Sequence, residues 1–281
     1  MFSKYLFLSE LSDKGEYYMS RIIRNIVLGS ALLCSAGAAL AETPQEKGLA
    51  IAIESNNRDK GWQNFTSDMT MVLRNKRGEE SVRTLRVQTL EVADDGDKSL
   101  TIFDEPKDVR GTALLTYSHK EDADDQWLYL PAVKRVKRIA SSNKSGPFMG
   151  SEFAFEDMSS QEVEKYTYNF LRDEPCGSLT CFVIERFPKD ENSGYTKQIA
   201  WIDHDEYLVQ KVEYYDRKKS LLKTLKIEGY KQFLGQFWRP DKSAMENHQT
   251  GKSTDLLMKN YKFKVNMDEN DFTQNSLKRA R

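Results

Sequence analysis

The chain has 281 residues, 30% of them charged, and its 42 lysines and arginines against 43 aspartates and glutamates leave a formal net charge of −1. No basic excess points to nucleic acid as a partner. After Ala41 no apolar run approaches the roughly 20 residues that a helix needs to cross a bilayer.

Residues 19–25 read Met-Ser-Arg-Ile-Ile-Arg-Asn, residues 26–38 are mostly apolar and small, and Ala39-Leu40-Ala41 precedes Glu42. A basic segment, an apolar segment and a small-x-small site in that order predict a cleavable secretory signal peptide over 19–41. Residues 1–18 contain Glu10, Asp13 and Glu16, which have no place in such a signal, so they are expected to be an over-long start with translation beginning at Met19. Cys34 follows Leu32 and Leu33, where a lipidation site needs a small residue; it is expected to leave with the signal, and the product is not expected to be lipidated. The expected product is one domain over 42–281, exported to the periplasm and soluble there. That compartment is oxidising. Cys176 and Cys181 flank Gly177-Ser178-Leu179-Thr180, which reads as a four-residue hairpin loop, and cysteines facing each other across such a loop meet disulfide geometry.

The domain opens on a helix signature. Thr43 suits the N-cap, Pro44 the first helical position, and Glu46 closes a capping box. Leu49, Ala52, Ile53 and Asn56 then recur at helical spacing and predict its apolar face, with an end near 57–61. The period next changes to two: Phe65, Met69, Met71 and Leu73 share one face of a strand, followed by a turn at Lys76-Arg77-Gly78. Further strands are expected over 81–92, 100–103, 112–117 and 126–130. Short strands joined by polar turns predict an antiparallel sheet or barrel.

Residues 141–156 break the alternation. Ser145-Gly146-Pro147-Phe148-Met149-Gly150 is turn-rich, yet Phe148, Met149, Phe153 and Phe155 are large and apolar. Long loops within a domain tend to be functional, and these four side chains predict a movable lid or a transfer surface, the alternative being a permanent plug. Ser159-Ser160-Gln161-Glu162 has the form of a second capping box and predicts a short mid-chain helix. Strands resume over 166–171, 179–186, 197–202, 208–216, 221–233, 237–244 and 256–265. The expected fold is mainly β, a single strongly curved antiparallel sheet of eleven or twelve strands, an incomplete barrel with two helices covering its concave side.

The motifs of phosphate-binding loops, serine hydrolases and zinc proteases are not present. His119, His204 and His248 lie far apart in polar sequence and read as separate surface residues. No catalytic residues, metal site or cofactor are expected. Lys134, Arg135, Lys137 and Arg138 form a compact basic run after Pro131. It reads either as a docking patch for an anionic surface or as a solvated strand edge, where lysine discourages unwanted pairing.

Several segments together resemble the LolA-like family of outer-membrane lipoprotein-sorting proteins. They are Phe103-Asp104-Glu105-Pro106-Lys107-Asp108-Val109-Arg110-Gly111, Trp127-Leu128-Tyr129-Leu130-Pro131 and Lys134-Arg135-Val136-Lys137-Arg138-Ile139. Phe148-Met149-Gly150-Ser151-Glu152-Phe153, Tyr166-Thr167-Tyr168, Trp201-Ile202-Asp203 and Tyr214-Tyr215-Asp216-Arg217 continue the resemblance, which ends with Phe272 and Leu277. It is to the broad branch of the family; the lipoprotein carrier LolA itself is shorter and lacks these segments. The resemblance implies a half-barrel whose cavity binds lipid or lipoprotein acyl chains, in partnership with an inner-membrane RND-type transporter and with peripheral membrane contact. Phe65, Met69, Met71, Leu73, Trp127 and Tyr129 are then the expected cavity lining. A non-carrier module that uses the same sheet to bind or sense a membrane protein is the alternative.

Overall fold

Thr43, Pro44 and Glu46 start a helix as their spacing predicts. In the computed structural model, which describes residues 41–279, α1 runs over Pro44–Arg58 with Thr43 as N-cap and the reciprocal Thr43–Glu46 capping box formed. The expected signal segment, Cys34 and the residues before them lie outside the described residues, Ala41 excepted. The face that α1 buries differs from the expected one. Gly48, Ile51 and Ala52 pack inward, while Leu49 and Ile53 stay 41% and 42% exposed. Gly48 decides this: a Cβ there would lie 2.8 Å from the backbone nitrogen of Phe170. The helix therefore seats its glycine directly on the strand backbone, and the rotation that permits this turns Leu49 and Ile53 outward.

The first half of the chain is a meander: β1 (Asn64–Arg74), β2 (Glu80–Leu90), β3 (Lys98–Glu105), β4 (Ala113–Tyr117), β5 (Asp125–Leu130) and β6 (Arg135–Arg138). The second half begins with β7 (Tyr166–Cys176), β8 (Leu179–Pro188), β9 (Tyr195–Asp203), β10 (Val209–Asp216) and β11 (Leu221–Glu228). It continues with β12 (Lys231–Phe233), β13 (Phe237–Arg239), β14 (Lys242–Asn247) and β15 (Ser253–Phe263). Thirteen strands make one antiparallel sheet in the order β6-β5-β4-β3-β2-β1-β15-β14-β11-β10-β9-β8-β7, and β12 with β13 forms a separate hairpin. The two halves join at the β1–β15 pair, while β6 and β7 remain as edges, so the sheet does not close into a barrel.

Two expected strands are each broken in two. Gly229 takes φ +69° after β11, and Pro240, which has no N–H for a ladder, separates β13 from β14. The expected mid-chain helix is absent. The chain instead makes 3-10 turns at Phe155–Met158 and Val163–Lys165, and Glu162, not Ser159, precedes the latter without a side-chain cap. A second helix, α2 (Gln274–Arg279), closes the chain instead.

Cys176 and Cys181 are disulfide-bonded with Cα atoms 5.9 Å apart. The hairpin loop is shorter than expected: Cys176 already pairs with Leu179, and Cys181 pairs with Glu174, so the bond runs diagonally across the strands.

The sheet buries both faces. Its inner face carries the main core, with Met71, Leu85, Phe103, Leu114 and Ile184 packed beneath Ile51 and Ala52 of α1 and beneath Phe148 and Phe153. The opposite face carries a smaller core in which Leu100, Ile102 and Leu115 meet Phe272 and Leu277 at the C-terminus. The connection from β6 to β7 links the two edges of the sheet. It places its apolar side chains in the inner core, which accounts for their presence in a stretch without strand periodicity.

Candidate functional site

The inner face is filled at one place and open at another. Where the 141–163 connection crosses, Phe148 is fully buried, with ring centroids 5.8 Å from Phe103 and 5.7 Å from Phe155. The backbone N–H of Phe148 donates to Phe153 O at 2.7 Å, and Arg83 Nη1 donates to Met149 O at 2.6 Å. Lys223 on β11 reaches up from the sheet and donates to Glu152 O at 2.8 Å and to Asp157 Oδ2 at 2.7 Å. Asn247 donates to the Glu152 carboxylate at 2.7 Å, and Tyr195 OH donates to Asp157 at 2.9 Å. The connection is thus stitched to four different strands and fills this part of the interior as a plug.

Under the C-terminal half of α1 the interior is open. A cavity of about 880 Å³ is bounded by Ala52 and Ser55 of α1, by Phe65, and by Ile184, Ile202 and Val209 from the sheet. Hydrogen bonds at its rim hold this end of the fold together. Ser55 Oγ donates to Tyr207 O at 2.7 Å, and Arg239 Nη1 donates to Asp59 Oδ1 at 2.6 Å, linking the helix end to β13. The Glu91 carboxylate accepts from the N–H groups of Gly61 and Gln63 at 2.6 and 2.7 Å. These anchor the segment that carries Trp62, another wall residue. The volume lies within the range of roughly 300–1,000 Å³ typical of small-ligand sites.

One end of the cavity is polar, with Asp97, Lys120, Ser160 and Glu162 in its wall. Burial, reinforced by the Glu162 charge, pushes the Asp97 carboxyl up to about 7. Close by, Asp95 behaves oppositely: partial burial raises it, but the His119 ring and the Lys120 N–H outweigh this and hold it at about 2. The raised Asp97 value has a consequence for stability. Its folded form binds a proton more tightly than the unfolded chain, whose aspartates titrate near about 3.9. Its contribution is therefore fully favourable below about pH 4 and declines as the pH rises to about 7, where it levels off. Asp97→Asn should remove that slope. Denaturant midpoints of both proteins between about pH 5 and about pH 8 test this: the variant should gain on the parent as pH rises, and parallel curves would refute it.

A crystal structure from Vibrio parahaemolyticus, named as an outer membrane lipoprotein-sorting protein domain, is 57% identical and superposes with a TM-score of 0.82, over 83% of this chain and 99% of that one. The chain belongs to the outer-membrane lipoprotein-sorting protein family. A family model described as an uncharacterized protein matches residues 95–279 of it. A DUF1329 family protein from Desulfovibrio piger is 28% identical with a TM-score of 0.80, over 84% of this chain and 99% of that one. A LolA superfamily protein from Nitrosomonas europaea shares the fold at 22% identity and a TM-score of 0.65, over 82% and 98% of the two chains. No curated protein matches the chain.

Among the expected lining residues of this lipoprotein-sorting family member, Phe65 borders the cavity. Met69, Met71 and Leu73 belong to the packed inner core and do not border it. Trp127 and Tyr129 lie on the opposite face, against Phe272 and Leu277, because alternation along β5 gives the inner face to Leu128. Phe148 and Phe153 are buried, and Met149 and Phe155 partly so, in the plug described above. The basic run proves to be Lys134 followed by β6, an edge strand of the sheet: Lys134, Arg135, Lys137 and Arg138 are exposed, and Arg138 pairs with Asp125. His119, His204 and His248 sit apart, each bonded to a different partner: Asp95, Asp173 and Thr224. Reading along the chain missed Trp62, Asp97, Glu162, Tyr207 and Arg239 as cavity residues. They come from loops, turns and a short strand, where no periodicity marks a facing side.

Proposed function

We propose that the protein is a periplasmic carrier that holds a lipid, or the acyl chains of a lipidated protein, in the cavity beneath α1 and passes it on without chemistry. The observation that carries this reading is the open, partly apolar volume of about 880 Å³ inside a sheet whose remaining inner face is tightly packed. Burial of a chain there would contribute about 0.8 kcal/mol per methylene. An inner-membrane RND-type transporter is the donor implied by the family resemblance. Native mass spectrometry of protein taken gently from the periplasm tests the reading. Co-purified lipid is expected, and Ile184→Trp, which places an indole in the cavity, should abolish it. A protein that is empty and also fails to bind added amphiphile would refute the carrier. The packed interior around Phe148 favours a second reading, a module that binds a membrane protein by its surface, and that outcome would support it.

The edge strand β6 is proposed as the surface that meets the membrane or the transporter. Lys134, Arg135 and Lys137 are exposed, and α2, with Lys278 and Arg279 in its last turn, packs against the same edge of the sheet. Several cations on one edge attract an anionic surface, and screening limits that attraction to about 10 Å at 0.1 M salt. The double variant Arg135→Glu/Lys137→Glu should weaken binding to anionic vesicles, more at low salt than at high salt. Unchanged binding at low salt would leave β6 as a charged edge that merely discourages strand pairing.

A further inference from the structure

An apolar chain has no use for carboxyl groups, yet two face the cavity, Asp97 half-buried and Glu162 buried. Most acids around its wall are satisfied locally: Asp59 by Arg239, Asp95 by His119, and Glu91 by two backbone N–H groups. Asp97 and Glu162 are different. The Asp97 carboxylate accepts only two long bonds, from Val92 N and Ser160 Oγ, both at 3.4 Å. Glu162 is 8% exposed, borders the cavity, and its carboxylate makes no hydrogen bond and no ion pair among the described residues.

The neighbouring cations do not fill the gap. Lys165 is committed to Asp124, and the Lys120 ammonium donates to Ala93 O at 3.1 Å. Lys120 offsets one charge at this end, but Glu91, Asp97 and Glu162 together leave it acidic. The Glu162 carboxylate reaches the cavity surface with no protein donor, so an occupant of the cavity that supplies one is the economical account of its placement. No group of three acidic, histidine or cysteine side chains suited to a metal ion occurs among the described residues. An ammonium group suits the pair better, because it donates up to three hydrogen bonds and needs no fixed coordination shell.

We infer that the Asp97–Glu162 end of the cavity is a subsite for the ammonium-bearing head of an amphiphile whose apolar tail lies against Phe65, Ile184 and Ile202. This rests on the carrier reading and adds to it the charge of the cargo. A bound ammonium favours the ionised form of both carboxyls and donates charge-assisted hydrogen bonds to them. The same pair repels a carboxylate or phosphate head.

Titration calorimetry of the exported protein with dodecylamine, dodecanol and dodecanoate, each below its micelle concentration, tests the inference. Dodecylamine should bind roughly tenfold to a hundredfold tighter than dodecanol, the range of one charge-assisted hydrogen bond, and dodecanoate more weakly than either. Glu162→Gln should remove most of the amine preference while leaving dodecanol affinity unchanged, and Asp97→Asn should do the same. Glu164→Gln, an exposed neighbour, should have no effect. Equal affinity for amine and alcohol, or a preference that survives both substitutions, overturns the subsite and leaves the carrier standing. Failure of all three probes to bind overturns both.

Discussion

Phe148→Ala is expected to destabilise the folded domain by about 3–5 kcal/mol, the usual cost of truncating a buried phenylalanine. Its ring is fully buried against Phe103 and Phe155, and the backbone on either side is fixed by Phe148 N–H to Phe153 O and by Arg83 to Met149 O. The surrounding core cannot collapse into the space, because its walls belong to hydrogen-bonded strands and to a connection tied at several points. For a domain of this size the loss corresponds to a fall in Tm on the order of 10 °C. Met149→Ala, at a half-buried position, should cost less. Lipid bound by the folded fraction should stay constant in both variants, because the cavity beneath α1 does not include either side chain. Near-normal stability with altered lipid content would instead establish the connection as a working lid.

Lys223→Met should be comparably damaging, about 3–5 kcal/mol, for an electrostatic reason. The side chains of Lys223 and Asp157 are only 4% and 7% exposed, and they pair at 2.7 Å. Lys223 also donates to Glu152 O, and its ammonium lies 5.1 and 5.2 Å from the ring centroids of Tyr195 and Tyr214. Removing the cation leaves the Asp157 charge buried with only the Tyr195 hydroxyl and the Ala154 N–H as donors. Adding Asp157→Asn removes the stranded charge and should recover about 1–3 kcal/mol, a coupling typical of contacting residues. Chemical unfolding of the two single variants and the double variant measures it. Simple additivity would show that the ion pair does not hold the plug in place.

The two residues act through one piece of architecture. Phe148 fills the inner face from above, and Lys223 ties the connection that carries it to a strand from the second half of the sheet. The same connection supplies Ser160 and Glu162 to the polar end of the cavity. A plug that holds its shape therefore also positions the groups that face a ligand.

Much of the fold was legible along the chain because it depends on local rules. The capping box at Thr43–Glu46 satisfies its own helix end whatever packs around it, and it forms as expected. Period-two alternation marked the long strands of the meander, since pleating puts successive side chains on opposite faces. What alternation does not say is which face lies inward. The resemblance implies Trp127 and Tyr129 as cavity lining, but on this sheet both faces are buried, and their set packs on α2. Helical spacing likewise predicts Leu49 and Ile53 on the inward face, but Gly48 allows a closer approach by the neighbouring stripe of the helix.

Local sequence thus settled the long strands and their antiparallel meander, the first helix and its cap, and the cysteine pair. Long-range contacts settled the rest. The cavity is made where α1, the ends of several strands and the β12–β13 hairpin leave space between them, and its charged end joins Asp97 to Glu162, which are distant in the chain. In sequence Asp97 reads as part of a polar turn and Glu162 as the closing residue of a capping box. Burial in the folded state, with too few donors within reach, is what turns them into a candidate site.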